Sequence, residues 1–263
     1  SALALLRGVM SSPAAGLAMI ENKMDHSDGA SSEEEDAPDN GPNPLMDEGY
    51  GTETDLAPIA VVSKTTWSSG ERKRLSELAA SLQELHGLDH DFKALQTVGI
   101  VKNWLKEGFH PVVFCRFIAT ANYLGDILKA ELNKIHPDIN LQVVTSEDPD
   151  EVRKSRIDDM EKSRKRLLVA TDCLSEGINL QDKFTAVLHY DLPWNPNRLE
   201  QREGRIDRFG QTAPEIKAYL LYGTNNPIDG VVLKVLLRKV REIRKATGIS
   251  IPFPEDSQSL MDA

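Results

Sequence analysis

Two cysteines in 263 residues leave no room for a disulfide framework. Cys115 and Cys173 lie in or just after apolar, strand-like runs, which suits reduced thiols in a cytoplasmic protein. A zinc site needs more ligands than these two supply. Gly87 also breaks the helix that would align His86 with His90, so no metal centre is expected. No apolar run approaches the length a membrane helix requires, and no membrane partner is expected. The mildly apolar start, Ser1 to Ile20, lacks the basic lead and concentrated apolar centre of a signal peptide. None of the 17 glycines is followed by lysine, so the Gly-Lys-Ser/Thr loop that cradles nucleotide phosphates is missing as well.

Positive charge is also short, with 31 Lys and Arg against 41 Asp and Glu, a net charge of −10. Its location matters more than its total. Residues 1–68 hold 12 acidic and 3 basic side chains, leaving 29 and 28 for the rest. The acidity therefore belongs to one segment, and the remainder is close to balance and open to a polyanion. Met24 to Pro58 is rich in Asp, Glu, Ser, Gly, Pro and Asn, with the run Glu33-Glu34-Glu35-Asp36. Such a stretch buries too little apolar surface to offset its ordering entropy. Residues 1–24 read as a helix-capable piece of a preceding region, and 25–67 as an acidic disordered linker, either an inert tether, the favoured reading, or an autoinhibitory mimic of a polyanion. Residues 68–248 read as one α/β domain and 249–263 as a tail.

Within that domain Ser68 and Glu71 have the spacing of a capping box, and Leu75, Leu78, Ala79, Leu82 and Leu85 recur with helical period. A second helix is expected from Lys93 to Glu107, ending at Gly108. Short apolar runs then alternate with helix-length segments. The runs are Val112–Cys115, Leu141–Thr145, Leu167–Ala170, Ala186–Leu192 and Ile216–Tyr222. Helices are expected over Thr120–Lys134 and Pro149–Ser163, after Asn195, and from about Ile228, with Leu233, Leu236, Leu237, Val240 and Ile243 on one face. Apolar runs joined by such crossovers form an open parallel sheet with helices on both faces.

Ligands of such sheets bind beyond the carboxyl ends of the strands. The first run is followed there by Arg116 and Thr120, the third by Thr171, Asp172, Glu176-Gly177 and Asn179. The fourth is followed by Asp191, the Trp194-Asn195-Pro196 turn and a helix bearing Gln201, Arg205 and Arg208. These last three stand at i, i+4 and i+7, one helical stripe. Gly204 admits a close approach to the backbone, and two guanidinium forks suit phosphoryl oxygens. Spacing alone nevertheless favours a solvated face partly paired with Glu203 and Asp207.

The longer strings shift that balance. Residues Gln201 to Gln211, reading QREGRIDRFGQ, resemble motif VI of superfamily 2 helicases. Val169 to Gln181, VATDCLSEGINLQ, resembles motif V, and Val112 to Phe117 resembles motif IV. Asp191-Leu192-Pro193-Trp194-Asn195-Pro196 is similar to the SWI/SNF-like branch, whose bacterial members include RNA-polymerase-associated ATPases. The ordered set covers roughly residues 90–248.

The resemblance implies a RecA-like C-terminal lobe of an ATP-dependent helicase or translocase. Arg205 and Arg208 would be arginine fingers on the γ-phosphate. Gln201 and Gly204 would join motif VI to the nucleotide cleft, and Asp172 and Gly177 would couple motif V to both. Arg116, Thr120, Thr171 and Ser175 would meet the backbone of a nucleic acid, with duplex DNA favoured. ATP with Mg would be held mainly by a partner N-terminal RecA-like lobe of the same protein, because the P-loop and the DExH-type motif are not found here. The chain alone is expected not to hydrolyse ATP. Two alternatives stand beside this reading: a non-catalytic binding platform with the same fold, and an unrelated α/β enzyme taking a phosphorylated metabolite at the same edge.

Overall fold

The computed structural model describes residues 2–28, 68–174, 178–193, 196–208 and 210–223, with short stretches between 229 and 238. Helices α1 (Ala2–Ser11) and α2 (Pro13–Asp28) come first. Pro13 suits the first turn of α2, where its missing N–H costs nothing. Helix α3 (Ser69–Glu84) starts on the expected capping box: Ser68 Oγ accepts from the Glu71 amide, and Glu71 Oε2 accepts from the Ser68 amide at 2.8 Å. Of its apolar stripe, Leu75 and Leu82 are buried against Leu17 and Ile20 of α2, whereas Leu78 and Leu85 stay exposed.

Helix α4 (Phe92–Glu107) is capped by Asp91, whose Oδ1 accepts from the Ala94 amide at 2.9 Å. It ends at Gly108, whose φ of 95° is one that a side chain rarely tolerates. Five strands follow with their crossovers: β1 (Pro111–Phe114), α5 (Ile118–Asn133), β2 (Asn140–Val144), α6 (Asp150–Asp159), β3 (Arg166–Ala170), β4 (Ala186–His189), α7 (Pro196–Glu203) and β5 (Lys217–Leu220). The helix expected over Pro149–Ser163 is thus α6 plus a 3₁₀ turn at Met160–Lys162. The fourth strand stops at His189, short of the expected Leu192. Of the expected last helix, residues 229–230, 233–234 and 237–238 are helical, with Leu233 and Leu237 buried; Leu236, Val240 and Ile243 lie outside the described residues, as does Asn195.

All strands are parallel, in the order β2-β3-β1-β4-β5. Central β1 pairs Val112 with Leu168 on one side and Val113 with Leu188 on the other. Because side chains alternate across a strand, successive residues feed two cores. Val113, Cys115, Leu167, Val169 and Leu188 pack beneath α4 and α5, around Trp104, Leu124 and Leu128. Val112, Phe114, Leu168, Ala170 and Val187 pack on the other face, against Ile157, Met160, Phe184 and Ile206. Each of these large side chains contributes roughly 1.5–3 kcal/mol on burial. The result is a RecA-like α/β sheet whose carboxyl edge gathers residues 115–116, 145, 171–172 and 190–192. No described helix is long and apolar enough to cross a membrane.

Candidate functional site

The carboxyl edge is organised around buried ion pairs. Asp172, just past β3, receives a two-pronged hydrogen bond from Arg202 of α7: Nε to Oδ1 at 2.7 Å and Nη2 to Oδ2 at 2.8 Å. Arg198, one turn earlier, stands 3.4 Å from Oδ2 of the same carboxylate. The Arg202 side chain is only 3% exposed, and its guanidinium lies 5.2 Å from the centre of the Phe114 ring. A planar fork matched to a carboxylate and backed by an aromatic face is a use of arginine that lysine cannot reproduce. A second link, from buried His189 Nε2 to Glu203 Oε1 at 3.0 Å, pins the last residue of α7 to the end of β4. Burial holds the His189 imidazole below its ordinary value, although the Glu203 bond works the other way.

These links correct the expected geometry of the arginine stripe. Helix α7 is eight residues long and stops at Glu203, so Gln201, Arg205 and Arg208 do not share one helical face. Gly204 ends the helix in a tight turn, its amide bonding to the Glu200 carbonyl at 2.7 Å. A Cβ at Gly204 would sit 2.9 Å from that same oxygen, which explains the glycine. Arg205 is half-buried in the turn, while Gln201 and Arg208 are exposed. Ile206 anchors the turn in the core. Gln211 then clasps it, donating from Nε2 to the carbonyls of Gln181 at 2.7 Å and Ile206 at 3.0 Å.

Arg202 is the functional residue that the spacing argument passed over. Its signal was present, because Leu199, Arg202 and Ile206 stand at i, i+3 and i+7, and all three are buried. A basic residue on that apolar stripe needs a buried partner, and Asp172 is that partner.

The other expected residues are spread over this edge. Arg116 is half-buried after β1, with its guanidinium 6.0 Å from the Phe117 ring. Thr171 is fully buried, and its amide bonds to the Val144 carbonyl at 3.2 Å. Thr120 calls for a correction. It is 0% exposed, and its hydroxyl lies 2.8 Å from Ser11 Oγ and 2.7 Å from Ser12 Oγ. It joins α5 to the α1–α2 turn, and no nucleic-acid strand reaches it in this arrangement. Gly177 and Ser175 lie outside the described residues, together with Glu176.

Behind Arg116 sits the buried carboxylate of Asp191. It accepts from Ser11 Oγ, Lys93 Nζ and the Arg116 amide, each at 2.9 Å. Burial by itself would raise this carboxyl, but Lys93, the Arg116 amide and Ser11 together hold it below its ordinary value. Cys115 beside it is buried, and burial pushes its thiol well up, away from reactivity.

Comparison with known proteins finds likenesses to helicases. Residues 92–210 match the family model described as the helicase conserved C-terminal domain. An uncharacterized ATP-dependent helicase, YqhH of Bacillus subtilis, is 31% identical over 171 residues, 65% of this chain and 28% of its own length. An ATP-dependent RNA helicase, eIF4A of Meyerozyma guilliermondii, is 33% identical over 103 residues, 38% of this chain and 24% of its own. The chain thus spans about a quarter of the length of these curated relatives. Among solved structures, the Sulfolobus solfataricus SWI2/SNF2 ATPase core in complex with dsDNA gives a TM-score of 0.46 at 20% identity. That alignment covers 98% of this chain and 45% of that one. The likeness to the helicase conserved C-terminal domain thus spans strands β1 to β4 and the α7 turn, residues 92–210.

Proposed function

We propose that this chain supplies the second lobe of an ATP-driven nucleic-acid translocase of the SWI/SNF-like branch. A first lobe of the same protein grips ATP and Mg, and closure of the two lobes brings Arg205 and Arg208 onto the γ-phosphate. Charge spread over a transferring phosphoryl group is what paired guanidinium groups stabilise best. Gln201 and Gly204 shape the near wall of the cleft, and Asp172 and Gly177 carry its movement into the sheet. Arg116 meets the nucleic-acid backbone, whereas Thr171, as fully buried as Thr120, does not; the Asp191–Pro196 string favours duplex DNA that is tracked without strand separation. Opening and closing then steps the pair of lobes along the polymer.

The observation that carries this reading is the forked Arg202–Asp172 pair. It ties the end of α7, just before the turn that holds Arg205, to the carboxyl end of β3, the edge where such sheets bind ligands, and this supports the finger reading. In the intact enzyme, nucleic acid should raise ATP turnover, and Arg205→Ala should lower that turnover by roughly 10³–10⁵. Turnover unchanged by Arg205→Ala would refute the finger assignment, and a binding platform without hydrolysis would then be the better account.

A further inference from the structure

Asp191 is spent on structure more completely than its place in the motifs requires. Its side chain takes one donor from each of three elements: Ser11 Oγ at the end of α1, Lys93 Nζ on α4, and the Arg116 amide in the loop after β1. Lys93 is itself held, 4.0 Å from the centre of the Tyr190 ring and bonded to the Ser11 carbonyl at 3.3 Å. The main-chain carbonyl of Asp191 accepts a fourth donor, Arg202 Nη1 at 3.3 Å. Arg202 in turn holds Asp172.

One residue therefore lies between the loop that carries Arg116 and the helix that carries Arg202. The loop cannot shift its amide without disturbing the Asp191 carboxylate, and α7 cannot shift without disturbing the Asp191 carbonyl. The ion pair with Lys93 and the α1 serine fix the carboxylate against the rest of the lobe. The Ser11 and Arg202 bonds to Asp191 are buried and the Lys93 and Arg116 bonds part-buried, so leaving one unmade is costly and the network favours a few discrete arrangements over gradual slack.

We propose that Asp191 is the positioning residue that couples nucleic-acid engagement at the Arg116 loop to the placement of the arginine-bearing α7 turn, with Ser11 and Lys93 as its anchors. This rests on the functional reading above, and the two can fail separately. The test is the ratio of nucleic-acid-stimulated to basal ATP turnover in the intact enzyme. Asp191→Asn keeps the shape but loses the charge that Lys93 answers, and the ratio should fall roughly fivefold or more, the scale of a coupling free energy between sites. The half-saturating ATP concentration should stay near its original value, a separation that general loosening of the fold would not produce.

Lys93→Gln and Ser11→Ala each remove a single donor, and the same ratio read on them decides the matter if Asp191→Asn does not fold. A stimulated enzyme whose ratio is untouched by these changes, whatever their effect on melting temperature, would overturn the inference and leave the functional reading standing. An intact enzyme whose turnover ignores nucleic acid altogether would overturn both.

Discussion

Arg202 and Asp172 show how little the sign of a charge says about its place. Arg202 stands next to Gln201 and three residues before Arg205, and it is the one of the three that the fold buries. Buried pairs are costly to break from one side, because the surviving charge is left without compensation in a poor solvent. Arg202→Ala should therefore destabilise the chain by about 3–5 kcal/mol, toward the lower figure because Arg198 remains 3.4 Å from Asp172. Urea unfolding of the purified chain measures this. A change within about 0.5 kcal/mol, the range of ordinary surface substitutions, would show that the pair does not hold α7 in place. Sequence could not rank the arginines because their spacing fits a stripe only while the helix continues. Gly204 stops it, and a glycine inside a helical pattern is tolerated often enough to be discounted.

At the scale of elements, the five apolar runs were readable because both faces of each strand are buried, which makes the run continuous. The helix ends were readable where a side chain writes them, as at Ser68, Glu71 and Gly108. The α1–α2 pair was another matter. Its mild apolarity allows a helix, but its docking depends on partners far along the chain, Ser11 with Thr120 and Asp191, and on Ala15 and Met19 against Phe117. No local pattern encodes such contacts, so Thr120 looked available to a ligand. The acidic linker expected over 25–67 begins later, because α2 runs on to Asp28; it joins α2 to α3, and these helices pack through Leu17, Ile20, Leu75 and Leu82. A protease site placed within that stretch and cut should leave the two pieces associated. Co-elution of both on size exclusion is the expected result, and separation of the residue 1–28 piece would mean that α1 and α2 are not part of the lobe's core.

Across the whole molecule, stability rests on groups that stay neutral as well as on ion pairs. Burial holds His110 down to about 4 from an ordinary 6.5, and it also lowers His189. The unfolded chain takes up protons at these positions near pH 6.5, while the folded chain takes them up only at lower pH. The His110 contribution to stability is therefore complete above about pH 6.5 and is lost as the pH falls toward about 4, and His189 acts in the same direction. Urea midpoints should decline over that window, and His110→Gln should flatten part of the decline. A midpoint that stays level from neutral pH to about 5 would contradict the burial of both rings.

In the proposed function this lobe completes an ATPase by presenting Arg205 from a rigid base. The most direct measurement is the single-turnover rate of ATP hydrolysis by the intact enzyme carrying Arg205→Ala, set beside the urea midpoint of the same substitution in this chain. The account predicts a rate lower by roughly 10³ or more with a midpoint essentially unmoved, since Arg205 is only half-buried in the turn. A rate equal to that of the unmodified enzyme would contradict it, as would a loss of rate matched by a collapse of the fold.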